Sequence, residues 1–384
     1  MKVAVDGHLA SSFFGGLGTY TLSIVRGLLE LHQDEVVIFT PKENDAKSAL
    51  PVDARNLIVN EVDIRCPASM SFFDFCVQWE QEILPRELQK YPIDVLFCPV
   101  FMAPLNWTGP IVVTVHDLAF ERYPEFYREE SRSYYSVWAK RAAEYADVLI
   151  AVSNFTGNDV RTIWQLQNKP LYVVHNAPTI SLPSTSRQWS KSIVASLLGI
   201  HKPYILYVGG SHKRKNIERL IQAYGQIEPK LRSAYHLVLA NVDKSAVASL
   251  LTNLELVQEI IVTSHCSDAV MPHLYAASEM LVYPSLFEGF GLPVLEAMQC
   301  STPVIASNTS AIPEIAGDAA ILIDPLNVNA IAHAIEMLLY DSKLCEDLRN
   351  RGKERVAQFS WYTAAEVTRN VLAQVSERRC GSVG

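Results

Sequence analysis

Short apolar runs alternate with longer amphipathic stretches along this chain, and the pattern is played through twice. In the first half, runs at 2–6, 36–39, 57–59, 95–98, 111–115, 148–152 and 171–174 read as buried strands, with helical or polar segments between them. The same grammar restarts at 204–210 and continues at 236–240, 259–262, 280–283, 303–306 and 320–323. Strands spaced by helices predict parallel, doubly wound α/β sheets, one in each half. The intervening helices show one apolar face each: Leu22, Val25, Leu28, Leu29 and Leu31 after the Gly15–Gly16 turn, then Ile217, Leu220, Ile221 and Tyr224 after a basic loop. A third carries Val294, Leu295, Ala297 and Met298, and Pro293 suits its first turn because a proline's fixed φ and missing N–H cost nothing there. Residues 120–145 mix aromatic with charged side chains and read as a half-buried amphipathic helix, an acceptor-facing or membrane-facing role being the other reading. The Pro/Ser/Thr-rich stretch 178–190 reads as a linker, and residues 378–384 as a frayed end. No short repeat period appears, so this is two related folds and not a solenoid.

Composition narrows the class. A chain of 384 residues is long for one core, and two domains are expected. Apolar content of 49% with 19% charged residues fits a folded globular enzyme and excludes a largely disordered chain. A net charge of −8 gives no reason to expect nucleic acid as a partner. The seven cysteines are odd in number and form no C-x-x-C pair, which favours free thiols in a reducing compartment over a disulfide framework or a zinc site. The chain enters its first strand at once, with no signal-peptide apolar region. No apolar run approaches the roughly 20 residues that span a bilayer. A cytoplasmic protein is expected, with peripheral attachment to the inner face of a membrane left open.

Chemistry concentrates between Tyr283 and Ser307. A strand runs into the loop Glu288-Gly289-Phe290-Gly291-Leu292, followed by a helix carrying Glu296. The two carboxylates bracket backbone N–H groups of Gly289, Phe290, Gly291 and Leu292 at a helix start, where the dipole favours an anion. An anion site beside two acceptors for hydroxyl groups suits a sugar nucleotide. Taken alone, the segment reads equally well as a tight strand-to-helix turn, with Glu296 a surface residue. His116 closes the strand 111–115, at the end of an α/β sheet where ligands collect, or else it simply finishes the strand. Lys213, Arg214 and Lys215 follow a strand ending in Gly209 and Gly210 and suit a diphosphate, although three adjacent basic residues are commonly a solvated surface run. The Gly15-Gly16-Leu17-Gly18 turn lacks the G-x-G-x-x-G spacing, and the strand after it ends in Thr40-Pro41 without an acidic ribose ligand. That argues against a nicotinamide site.

Glu288 and Glu296 enclose seven residues in E-G-F-G-L-P-V-L-E, which resembles the signature of retaining glycosyltransferases of family 4. The likeness continues through P-V-I-A-S and I-P-E-I-A-G-D-A-A, through T-V-H-D-L around His116, and through V-G-G-S-H-K-R-K-N around Lys215. It extends over nearly the whole chain and is tightest over 204–326. The resemblance implies a GT-B architecture, two Rossmann-like doubly wound parallel-sheet domains facing a central cleft. Residues 1–178 would form the acceptor-side domain, 179–359 the nucleotide-sugar domain, and 360–384 a C-terminal helix returning to the first. It also implies roles: Glu296 on the ribose, Lys215 and Arg214 on the diphosphate, Glu288 on the hexose, with His116 and the Gly15–Gly16 loop contributed by the first domain. Gly209 and the turn at Cys266, where the family's T-G-x-V is replaced by Thr263-Ser264-His265-Cys266, would lie against the donor. Gly210 stands where the family often has Arg, and Arg214 is the candidate substitute.

The implied reaction retains the α-linkage, needs no metal, and uses the nucleotide sugar as co-substrate with no cofactor. The variants H-D-L, R-K-N and S-N-T-S-A-I-P-E look most like mannosyltransferases of polysaccharide assembly. GDP-mannose is then the first donor, UDP-, ADP- and dTDP-sugars the others, and a saccharide or polyprenyl-linked saccharide the acceptor. A sugar-nucleotide epimerase or hydrolase on the same architecture is the rival from another class. A non-catalytic binding module would need a broken site, yet His116, Lys215, Glu288 and Glu296 are all present.

Overall fold

A computed structural model describes residues 1–384 apart from 12–13, 45, 52–53, 181–185 and 381–384, and apart from the side chains of 379 and 380. The chain divides into two compact units, Met1–Asn176 with Ser360–Gly384, and Ala177–Phe359. In the first unit seven strands form one sheet: β1 Lys2–Asp6, β2 Glu35–Pro41, β3 Leu57–Val62, β4 Val95–Cys98, β5 Ile111–Val115, β6 Val148–Ala151 and β7 Leu171–Val173. Their order is β3-β2-β1-β4-β5-β6-β7, and every pairing is parallel. Strands β1, β4, β5 and β6 are almost wholly buried because both faces of a parallel sheet are covered, which is why they read as continuous apolar runs and not as alternation.

Two helices of the first unit lie together on this sheet. The Gly15–Glu30 helix buries Leu22, Val25, Leu28 and Leu29, and its early turn passes so close to the preceding loop that a Cβ at Gly18 would sit 1.8 Å from the Ser11 carbonyl oxygen. Gly18 is therefore a packing glycine. The Trp361–Cys380 helix lies against it: a Cβ on Gly27 would come 2.6 Å from the Ala365 Cβ, Trp361 meets Tyr20 edge-on, and Arg369 Nε reaches Asp34 Oδ2 at 2.7 Å. The helix continues through the expected frayed start at Arg378 as far as Cys380. Residues 381–384, the rest of that expected fray, lie outside the described residues.

The second unit is a six-stranded sheet: β8 Tyr204–Val208, β9 His236–Ala240, β10 Ile260–Thr263, β11 Met280–Tyr283, β12 Val304–Ser307 and β13 Ile321–Ile323. The order is β10-β9-β8-β11-β12-β13, again parallel throughout. Sequence order reverses between β8 and β11, so the loops after Val208 and Tyr283 leave the sheet side by side. In an open α/β sheet that is the binding position.

Two expectations about elements change. The stretch 178–190 is not all linker, since a helix begins at Arg187, with the Ser186 hydroxyl capping the N–H of Trp189. Serine there is a cap and not a sign of irregular chain; 181–185 lie outside the described residues. The single amphipathic helix expected over 120–145 is broken. Ala119–Arg122 ends at Pro124, which opens a short 3₁₀ turn, and a second helical run from Glu129 to Tyr145 contains a π turn at Tyr135–Ala139. Cys66, Cys76, Cys98, Cys266, Cys300 and Cys345 are unbridged. Among the described residues no helix is long and apolar enough to cross a membrane.

Candidate active site

The loop after β8 turns through Lys213–Lys215 and stops at Asn216, which adopts a left-handed conformation (φ 59°) between that turn and the Ile217–Gln226 helix. Its amide donates to the Pro284 carbonyl at 2.9 Å and the Pro325 carbonyl at 2.7 Å. The Leu286 N–H donates in turn to the Arg214 carbonyl at 2.7 Å. The basic turn and the loop after β11 are thereby tied together by backbone.

That tie brings Arg214, Lys215 and Glu288 into one cluster. Lys215 Nζ donates to Glu288 Oε1 at 2.7 Å and to the Tyr283 hydroxyl at 2.8 Å. The Tyr283 hydroxyl donates to the same Oε1 at 2.7 Å. Arg214 Nη1 donates to Glu288 Oε2 at 2.7 Å and to the Phe287 carbonyl at 3.1 Å. Glu288 is 5% exposed, which decides its chemistry. Burial alone would favour the neutral acid, but the guanidinium of Arg214 and the ammonium of Lys215 overcome it and hold the carboxyl down to about 2. A Cβ on Gly209 would lie 2.8 Å from the Tyr207 hydroxyl, so the glycine clears the space beside Lys215.

The helix carrying the second carboxylate runs Leu292–Gln299, with Gly291 as N-cap and no side chain capping it. Gly291 has φ 106°, and a Cβ there would meet Ile312 Cδ1 at 2.5 Å. The uncapped helix start lies directly after Glu288, Gly289 and Phe290, near a pair of cations, a setting for a polyanion. Glu296 is the fifth residue of the helix, just beyond its first turn. Its Oε2 accepts from the Tyr275 hydroxyl at 2.8 Å. Burial pushes its carboxyl up; the Tyr275 hydrogen bond works against this, and Asp268 adds to it.

The remaining expected residues fall as follows. His116, half-buried at the end of β5, donates Nε2–H to the Pro99 carbonyl at 2.7 Å, since a carbonyl only accepts; Nδ1 is therefore the acceptor nitrogen. Burial lowers its pKa to about 4, against the smaller opposing pull of the Pro99 carbonyl and Asp117. Tyr20 meets the ring edge-on at 4.6 Å and is itself bonded to Thr114. Gly15 has φ 57°, and a Cβ on Gly15 or Gly16 would enter open space, so close packing does not explain these two glycines as it explains Gly18. The Cys266 N–H is already taken by Asn241 Oδ1 at 2.8 Å, and its thiol lies 3.2 Å from the Thr263 hydroxyl. The turn is thus held by Asn241 through the Cys266 N–H.

Sequence reasoning passed over Tyr283, Tyr275 and Asn216. Tyr283 had a signal, a polar-tipped aromatic at a strand end like His116. Tyr275 had none, because a buried aromatic on a helix looks like core. A third cluster was also missed: Asp6 at the end of β1, His8 and Glu80, whose ligand atoms all lie within 4.8 Å of one another. His8 Nδ1 bonds Asp6 Oδ1 at 2.9 Å, and Trp79 Nε1 and the Tyr134 hydroxyl donate to Asp6 and Glu80. This is the donor set a divalent cation would use. Burial opposes charge on His8, but Asp6 overrides it and raises its pKa well above the usual value. Glu80 is pushed up to about 8 by burial. Both shifts favour the protonated forms of His8 and Glu80.

Two doubly wound parallel-sheet units in one chain, of seven and six strands, are the GT-B architecture. Sucrose-phosphate synthase from Thermosynechococcus elongatus shares this fold, with a TM-score of 0.77 over 98% of this chain and 99% of that chain at 22% identity. Residues 14–178 match Glycosyltransferase Family 4, and residues 193–355 match Glycosyl transferases group 1. The O-antigen chain mannosyltransferase B of Escherichia coli is 31% identical over 268 residues, 67% of this chain and 69% of that one. Alpha-maltose-1-phosphate synthase of Mycolicibacterium smegmatis is 30% identical over 304 residues, 72% of this chain and 76% of that one. The chain belongs to the family 4 glycosyltransferases and resembles their mannosyltransferases.

Proposed function

We propose that this glycosyltransferase moves mannose from GDP-mannose to a saccharide or polyprenyl-linked saccharide acceptor, with retention of the α-linkage. The observation that carries the reading is the convergence of Arg214 and Lys215 on the buried Glu288, next to an uncapped helix start at the head of a parallel sheet. Two cations and a helix dipole suit a diphosphate leaving group. The identity to a protein named as a mannosyltransferase supports the sugar, and the sequence variants around His116 and Lys215 support it further.

In this reading Glu296 binds the ribose hydroxyls, Arg214 and Lys215 bind the diphosphate, and Glu288 addresses the hexose. As the bond from the anomeric carbon to the phosphate oxygen breaks, its electron pair goes to the phosphate. Arg214, Lys215 and the N–H groups of the Gly289–Leu292 turn stabilise that charge. The acceptor oxygen bonds the same face of the carbon and loses its proton to the departing phosphate. His116, neutral and with Nδ1 free of hydrogen, serves as an acceptor for a sugar hydroxyl. We place the protein in the cytoplasm, meeting any lipid-linked acceptor at the membrane surface, and assign it no metal or cofactor.

A panel of GDP-, UDP-, ADP- and dTDP-sugars tests the donor. A ligand at a hundredfold excess over Kd stabilises the fold by about 2.7 kcal/mol, so the true donor reads out as a thermal shift. GDP-mannose should give the largest shift and the fastest donor turnover. A UDP-, ADP- or dTDP-sugar leading the panel would overturn the assignment of GDP-mannose. Release of free sugar with no acceptor-dependent product would favour a hydrolase instead.

A further inference from the structure

Glu296 and Tyr275 reach each other from different helices. Tyr275, on the Met271–Ala277 helix, is fully buried, and its hydroxyl donates to Glu296 Oε2 at 2.8 Å. Its backbone is anchored as well, for its carbonyl accepts from the Ser278 and Thr302 hydroxyls, each at 2.8 Å. The phenol is thus a fixed post. Glutamate is a flexible side chain, and pinning one oxygen removes rotamer freedom before any ligand arrives. The half-buried carboxylate then presents Oε1, with Oε2 occupied. The same hydrogen bond opposes the burial and the nearby Asp268 that push the carboxyl toward its neutral form. A neutral carboxyl would be a poorer acceptor for hydroxyl groups.

We propose that Tyr275 is the positioning residue for the ribose-binding carboxylate, and that selectivity of the donor site for ribose hydroxyls depends on it. Tyr275 does not itself touch the nucleotide; it acts through Glu296. The inference rests on the reading of Glu296 as the ribose ligand, and the test separates the two.

The test uses Tyr275→Phe, which keeps the ring and removes only the hydroxyl. Calorimetric titration gives Kd for GDP and for 2′,3′-dideoxy-GDP with the native protein, Tyr275→Phe, Glu296→Gln and the double variant. The native protein should favour GDP over the dideoxy analogue by roughly ten- to a hundredfold, the scale of a charged hydrogen bond. In Tyr275→Phe that preference should shrink by about tenfold, with affinity for the dideoxy analogue unchanged. In the Glu296→Gln background, Tyr275→Phe should change nothing further. A variant that binds both ligands more weakly in equal measure keeps the full preference, and this would overturn the proposal by making Tyr275 merely structural. A Tyr275→Phe loss of the same size with and without Glu296 would overturn it too. If the native protein shows no preference, or Glu296→Gln leaves it intact, the reading of Glu296 itself fails.

Discussion

At the scale of single residues, Glu288 is held by more than its place in a motif. Its carboxyl is depressed from an ordinary 4.5 to about 2, a difference worth about 3 kcal/mol. A depressed carboxylate contributes stability above its unfolded pKa and loses it as pH falls toward the folded value. The gap in unfolding midpoint between the native protein and Glu288→Gln should therefore be widest above pH 4.5 and close as pH falls toward about 2. A gap independent of pH would mean that the ion pairs do not stabilise the loop. Lys215→Ala should weaken nucleoside diphosphate binding and slow turnover by roughly 10²–10³, the cost of one charge-stabilising donor. Unchanged kinetics at low and saturating donor would remove Lys215 from the site. His116 titrates in the opposite sense to an activated imidazolium. With its pKa lowered to about 4 it is neutral at pH 7, and stability rises with pH between about 4 and 6.5 as the unfolded chain gives up a proton that the folded one has already lost. Proton magnetic resonance of the His116 ring should show its transition near 4; a midpoint near 6.5 would contradict the burial argument.

At the scale of elements, one glycine sets how the Leu292–Gln299 helix starts. Gly291 combines a positive φ with a Cβ position 2.5 Å from Ile312 Cδ1. Gly291→Ala should cost on the order of 1–3 kcal/mol through backbone strain, and Ile312→Ala should relieve the steric part only. Equal melting temperatures for Gly291→Ala and the native protein would show that the turn tolerates a side chain. This turn was legible in sequence because its chemistry is local: strand, glycines, proline and helix follow in order. The strands were legible for a related reason, both sheet faces being covered, so that each strand is an apolar run. What could not be read depends on groups distant along the chain. Asp6 and Glu80 meet only because Trp79 and its neighbours cover the end of β1. The bond from the Cys266 N–H to Asn241 could not be read from the turn itself. Ser186 looked like linker because a capping serine and a loop serine are the same letter.

At the scale of the whole molecule, the chain's last helix belongs with its beginning. Trp361–Cys380 covers the Gly15–Glu30 helix through the Gly27–Ala365 approach and is tied down by Asp34–Arg369 and Tyr172–Gln374. Ending the chain at Phe359 should raise hydrogen exchange along the Gly15–Glu30 helix and leave the strands from Tyr204 to Ile323 protected. Loss of protection in the second sheet instead would contradict the division into units. The proposed donor site gives two glutamates different duties, one for the nucleotide and one for the sugar. Calorimetric binding of GDP to Glu296→Gln and Glu288→Gln, paired with turnover on two epimeric donors, tests that most directly. Glu296→Gln should lose GDP affinity by roughly ten- to a hundredfold, while Glu288→Gln should hold that affinity, lose kcat and discriminate less between hexoses. If Glu288→Gln loses GDP affinity as badly as Glu296→Gln, the division of labour is contradicted.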